Sequence, residues 1–472
     1  MHRSLAMVPV VLACAAALWA GDGQAAPGRS AVTRHDQRDV AITIYTGNLG
    51  LVKDVRELQL PAGVHEVKFM DVAAQIDPTT VHLKSLTDPA AVHILEQNYE
   101  YDLLNPQKLL DKYVGKTVKL MTGDGTLVEA VLLSNNNGPI YQIDGQIHLG
   151  HPGRVILPEL PENLTPTPTL VWLLQNGSAR PQRVEASYLT SGITWKADYV
   201  VVLNENDNGG DLSGWVTIDN QSGATYADAA LKLVAGDVHR AQTRQEMRAM
   251  LESAVTAGAP RPQFREESFF EYHLYSLQGR TTVKQNQTKQ IRLLDAPGVV
   301  IKKELRFYGA RQYYRSQLGA PIANQKVGVF LEIENAETQK LGIPLPKGTV
   351  RVYKAAADQS LQFIGEDVID HTPKGEKVKI KMGEAFDVVG ERTQREWKKI
   401  AWNLYETEWD VELRNHKKED VEVTIIEPVP GDWEVVKSSH PYSKIEAHTL
   451  QYVVKVPRDG KVTVNYRVRM RW

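Results

Sequence analysis

The sequence predicts an all-β chain of several linked antiparallel β-sandwiches, immunoglobulin-like at the C-terminal end, with a small SH3-like barrel inserted ahead of them. Three observations carry this. Side chains alternate with period two over long stretches, as in Trp195, Ala197, Tyr199, Val201 and Leu203 against Lys196, Asp198 and Val202. Short turns rich in Gly, Pro, Asn and Asp cut these stretches, NENDNGGD and NQSG among them. Helical spacing surfaces only near Asn105 and near Met247.

The elements follow in order. A first β unit over 38–100 contains ITIYTGNLGLV, LQLPAGVHEVKF and TVHLKSL between Gly, Pro and Asp turns. Asn105 before Pro106 reads as an N-cap with proline at the first helical position, and Gly115 closes that short helix. Within 101–160, KTVKLMT, TLVEAVLLS, PIYQID, GQIHLG and RVILP give five short strands, the layout of the small barrel. Pro158, Pro161, Pro166 and Pro168 stiffen the boundary that follows.

The meander of 165–240 organises the rest of the chain. Its strand through Trp195–Leu203 turns at Asn204–Asp211, a second runs through Leu212, Gly214, Val216 and Ile218, and a third opens at Leu231, Leu233 and Ala235. A helical or mobile insert is expected over 241–265, where Met247, Met250, Leu251, Ala254 and Val255 recur at helical spacing. A β-sandwich over 266–390 and an immunoglobulin-like sandwich over 391–472 complete the chain. In the last strand Tyr466, Val468, Met470 and Trp472 share one face and Arg467, Arg469 and Arg471 the other; Val462 to Trp472 is expected to close a soluble sandwich, with Trp472 packed and the arginines in water.

Composition narrows the function. With 472 residues the chain exceeds one hydrophobic core. Its 55 basic and 57 acidic residues leave a net charge of -2, which gives no field for nucleic acid. His2 and Arg3, the apolar run Leu5 to Ala20 and small residues up to Ala25 read as a signal peptide over 1–25, cleaved after Ala25, so a periplasmic or extracellular location is expected, with no transmembrane span after cleavage. The single cysteine, Cys14, lies in that run, which leaves no disulfide or thiol chemistry beyond it; lipidation of Cys14 is the minor alternative. The sequons at Asn163, Asn176, Asn220 and Asn286 read as plain turn residues.

Motifs of chemistry are sparse. Asn204, Asn206, Asn208 and Gly209 sit at the spacing of a calcium loop, but asparagine replaces each early aspartate and Trp215 stands where the bidentate glutamate belongs, so a hairpin turn is expected. His148 and His151 are three apart in a strand and turn, and His82 and His93 lie in separate strands; none has the spacing of a metal site. Neither a nucleophile elbow nor a phosphate loop is present, so no catalytic residue, metal or cofactor is assigned.

The motifs WKADY at Trp195 to Tyr199, GWVTIDNQSGATY at Gly214 to Tyr226, LKLVAGDV at Leu231 to Val238 and LPKGTVRVY at Leu345 to Tyr353 make the chain resemble a known family. It resembles the bacterial secreted domain of unknown function numbered four-one-three-nine, distantly akin to the mucoidy inhibitor A group. That resemblance covers most of the chain beyond the leader and implies a β-rich envelope protein with no catalytic residues to carry over. The mucoidy inhibitor relatives have a long coiled coil ahead of the β region, where this chain has the small barrel.

Aromatic side chains offer the remaining route to function. Trp397 and Trp402 are the candidate partner-binding residues, because Arg395, Glu396, Lys398 and Lys399 flank Trp397 as at a surface. The expected role is a non-catalytic envelope module binding a protein or glycan partner. A hydrolase acting on envelope polymers is the alternative, and an outer-membrane-associated protein the lesser one.

Overall fold

The computed structural model describes residues 28–159, 161, 164–236, 264–269, 272–356, 358 and 360–471. The signal-peptide segment with Cys14, the Met247 stretch, Asn163 and Trp472 lie outside the described residues. Strands dominate, and Pro106–Tyr113 is the one α-helix among the described residues. The chain forms two compact units, one of residues up to Asp36, Glu57–Met70 and Ser85–Arg183, the other of Gln37–Arg56, Asp71–Lys84 and Val184–Trp472.

The first unit has two sheets. One runs Gly28–Val32, Gly63–Met70, Thr169–Asn176, Val92–Glu100, with only the first pair parallel. Phe69 and Trp172 meet in its core with ring centroids 5.1 Å apart, and Trp172 Nε1 donates to Gln97 Oε1 at 2.8 Å. The other sheet runs Gln146–Leu149, Ile140–Ile143, Leu127–Ser134, Thr117–Met121, Arg154–Ile156, so the fifth strand returns to pair with the first, as the small barrel requires. Its helix begins where the sequence places it. Asn105 Oδ1 accepts from the Lys108 amide at 2.9 Å, Pro106 takes the first turn, and buried Tyr113 packs among Val118, Leu120, Leu132 and Tyr141.

The second unit holds the longer sheets. Seven strands run in the order Phe264–Phe269, Tyr272–Val283, Tyr226–Ala235, Gln37–Tyr45, Leu49–Leu58, Gln182–Thr190, His82–Ser85. A 13-stranded sheet has the main path Leu361–Ile369, Gly348–Ala355, Ile193–Leu203, Gly209–Asn220, Gln287–Tyr308, Ile322–Glu334, Lys377–Ala401, Leu404–Asn415, Gly460–Arg471, Asp432–Ser438. Val421–Pro428 joins it through Gln287–Tyr308 and leads to Thr449–Val456 and Ser443–Glu446. Two strands are unusually long. Gln287–Tyr308 has 22 residues and Lys377–Ala401 has 25, and the latter runs unbroken through position 390, where the sequence places a domain boundary.

The C-terminal core gathers Trp409, Val423, Ile425, Tyr452, Tyr466, Val468 and Met470, all buried. Gly460–Arg471, the last strand among the described residues, lies inside its sheet, between Leu404–Asn415 and Asp432–Ser438. Its face pattern is the one the alternation predicts. Arg467 and Arg469, however, are paired: Arg467 lies opposite Glu408 and forms ion pairs with Glu408 and Glu406, and Arg469 lies opposite Glu406 and pairs with it, while Arg471 is exposed. Carboxylates on the neighbouring strand stand in register with them, which the last strand alone does not reveal.

Strand ends follow one repeated device. Asn176, Asn220, Asn335 and Asn415 each stand at the end of a strand or just beyond it, each is at most 3% exposed, and the Nδ2 of each donates to three backbone carbonyls. Their Oδ1 atoms accept a backbone amide, from Ser178, Ser222, Gly342 and Lys417. One side chain thus ties the carbonyls of a turn that has no ladder partner. Asn176 and Asn220 are structural anchors whose amide hydrogens are in use, and Asn286 sits in an exposed turn with φ of 54°.

Candidate functional site

The two candidate tryptophans differ in role. Trp402 and Asn403 form the two-residue turn that joins Lys377–Ala401 to Leu404–Asn415, and Trp402 is 83% exposed. Ile400 beside it is 47% exposed, so the hairpin tip presents apolar surface to solvent. Trp397 is half-buried, packs against the C-terminal core, and lies with its ring centroid 5.7 Å from that of Tyr405. It supports the hairpin from which Trp402 projects.

The other sequence candidates stay apart from any site. At Asn204 to Gly209 the chain makes a hairpin: Asn204 Nδ2 donates to Asn208 Oδ1 at 2.7 Å, and the Asn204 amide donates to the Gly209 carbonyl at 2.8 Å. Asp207 in this turn is half-buried, which alone raises its pKa, but the ammonium groups of Lys303 and Lys354 outweigh burial and hold it below the ordinary range. These groups line a cleft of about 530 Å³ whose lysines are occupied by neighbouring acids. The imidazole Nδ1 of His151 accepts the Gly153 amide at 2.9 Å, and among the described residues no three His, Cys, Asp or Glu side chains form a group fit for a metal ion.

One arrangement escaped the sequence reading. On the face of the 13-stranded sheet opposite Trp195 and Tyr199, five polar side chains from five adjacent strands join in a row. Glu366 Oε2 pairs with Arg351 Nε at 3.1 Å, Arg351 Nη1 donates to Asp198 Oδ1 at 3.1 Å, Thr217 Oγ1 donates to Asp198 Oδ2 at 2.7 Å, and Gln290 Nε2 donates to Thr217 Oγ1 at 3.1 Å. Asp198 is 6% exposed and fixes its neighbours, while Glu366, Gln290 and the Arg351 side chain reach solvent. Trp215 stands directly opposite Asp198 in the ladder, with the Arg292 guanidinium 5.5 Å from its ring centroid. Strands lie about 4.8 Å apart, so the row spans roughly 19 Å. Asp198 with Thr217 and Arg351 with Glu366 lie on successive strands, but Gln290 is 73 positions from Thr217 and Arg351 is 153 from Asp198, so the sequence does not show these pieces as neighbours.

The strands that carry WKADY, GWVTIDN and the GTVRVY of LPKGTVRVY meet in this sheet, whereas Leu231–Ala235 of LKLVAGDV lies in the seven-stranded sheet. Ile193–Leu203 pairs in parallel with Gly348–Ala355, and the hydroxyl of Tyr199 donates to the Pro346 carbonyl at 2.8 Å. Tyr275 likewise donates to Pro344 at 2.8 Å, so the rigid PLPKG turn is pinned by two buried tyrosines. Among curated proteins none matches the chain. A family model, the domain of unknown function DUF4139, matches residues 184–472, which contain the whole polar row and the Trp402 hairpin. With more than half of its length so matched, the chain belongs to the DUF4139 family of domains of unknown function.

Proposed function

We propose that this chain is a secreted cell-envelope protein that binds a protein or glycan partner without catalysing a reaction. Trp402 carries the reading: its indole, 83% exposed at the tip of a tight hairpin with Ile400 beside it, forms apolar surface in water, and tryptophan is among the residues most enriched in interface hot spots. The hairpin is held from behind by Trp397 and Tyr405, so the tip is presented rigidly and little order is lost on binding. The leader-like residues 1–25 support placement in the envelope.

The test is affinity capture from envelope extract with the full-length protein and with Trp402→Ala. A partner retained by the native protein and lost by the variant supports the reading. Equal capture by both, or turnover of envelope polymers by the purified protein, overturns it.

A further inference from the structure

We propose that the row Glu366, Arg351, Asp198, Thr217 and Gln290, with Trp215 beside it, is a binding site for a neutral, polyhydroxylated saccharide chain. The proposal rests on the binding reading and names a ligand class for a second surface, on a different part of the sheet from the Trp402 hairpin.

Four features lead to a saccharide. The row is built before any ligand arrives, because buried Asp198 accepts from both Arg351 and Thr217 and fixes them in place. It alternates donors and acceptors, which is what a chain of hydroxyl groups, each both donor and acceptor, can match. Trp215 is half-buried beside it, and its Nε1 has no hydrogen-bond partner among the described residues, so the ring offers an apolar flank with a free donor. Its length of roughly 19 Å across strands accommodates an extended oligomer better than a single small molecule.

Charge decides which saccharide. Arg351 is balanced by Asp198 and Glu366, Arg292 by Asp295 at 3.0 Å, and Lys196 lies 3.6 Å from Asp198. A polyuronate or phosphorylated glycan would have to break these pairs to gain a counter-ion, whereas a neutral chain keeps them. The same balance disfavours nucleic acid, which needs uncompensated cations.

The experiment uses the purified full-length protein on an array of neutral glycans covering hexose, deoxyhexose and N-acetylhexosamine chains, with polygalacturonate as the charged comparator. The strongest neutral binder is then titrated calorimetrically against native protein, Gln290→Ala and Trp215→Phe, with melting temperature measured in parallel. Expected are saturable binding to at least one neutral chain, none to polygalacturonate, and at least a tenfold loss of affinity in Gln290→Ala at unchanged melting temperature. Trp215→Phe keeps the ring and loses the donor, so a smaller loss is expected there. Absence of binding to every neutral glycan, preference for polygalacturonate, or native affinity in both variants overturns the proposal. Partner capture through Trp402 is read separately, so it survives that failure; loss of both removes the binding reading itself.

Discussion

Arg392 and Glu427 form an ion pair shut away from water, with side chains 1% and 0% exposed and Nε and Nη2 donating to the same oxygen, Oε1, at 3.0 and 2.9 Å. The other carboxylate oxygen accepts from the Tyr314 hydroxyl at 2.9 Å, Arg392 Nη1 donates to Gln325 Oε1 at 2.7 Å, and the guanidinium lies 3.9 Å from the Phe307 ring centroid. Burial first, and then the Glu427 charge, push the Tyr314 hydroxyl well above its ordinary pKa, so it stays a donor. Removing one partner strands the other charge in the core. Arg392→Met is therefore expected to cost about 3 to 5 kcal/mol in urea unfolding, with Arg392→Met/Glu427→Leu costing less than the single change. A single variant within about 1 kcal/mol of the native protein would refute the burial of this pair.

The sequence made the strands legible and their partners illegible. The five short strands of 101–160, the Asn105 cap and the inward faces of Trp195–Leu203 and Tyr466–Met470 follow from period and turn chemistry, which are local. Arg392 with Glu427, or Arg351 with Asp198, depends on which strands become neighbours, and nothing in the alternation of Lys377–Ala401 marks Arg392 as a residue that turns into the core. The charged flank of Arg395, Glu396, Lys398 and Lys399 belongs to Trp397, yet Trp397 is the more buried of the two, and Trp402, whose neighbours Ala401 and Asn403 are uncharged, is the exposed one. Charge next to an aromatic residue on a strand marks the alternate face, not the exposure of the ring itself.

The strand-end asparagines make a second expectation. Asn415 Nδ2 serves the carbonyls of Glu419, Val456 and Pro457, and its Oδ1 accepts the Lys417 amide at 3.0 Å. Asn415→Ala leaves buried backbone groups unpaired, each worth about 1 to 3 kcal/mol, so a loss of at least about 2 kcal/mol is expected. Asn286→Gly, at an exposed left-handed position, is expected to stay within about 0.5 kcal/mol. Chemical denaturation of the two variants side by side checks the contrast, and equal stabilities would remove the anchoring role.

Acid should loosen the C-terminal sheet. Hydrogen bonds from Asn465 and Arg467, with Lys437 adding to them, pull the Glu408 pKa from 4.5 down to about 2. Because the folded value lies below the unfolded one, the stabilisation is complete above pH 4.5 and is lost as the pH falls toward 2. The unfolding free energy is therefore expected to decline over that window, and Glu408→Gln to decline less steeply while being less stable at pH 7. Denaturation curves at pH 3 and pH 7 compare the two; parallel slopes would exclude Glu408 as a contributor.

The three tryptophans of this region should separate stability from binding. Trp409 is 1% exposed and its ring centroid lies 5.8 Å from that of Tyr314, so Trp409→Ala opens a cavity in the core and should cost about 3 to 5 kcal/mol. Trp397→Ala removes a half-buried ring and its contact with Tyr405, for which about 1 to 2 kcal/mol is expected. Trp402→Ala, at an exposed turn, should leave the melting temperature where it is, a change of less than about 0.5 kcal/mol. Thermal melts rank the three directly. If Trp402→Ala destabilises as much as Trp397→Ala, the hairpin tip is held by the fold and its exposed indole is not available for a partner; if it is neutral in the melt yet abolishes capture, contact is its only use.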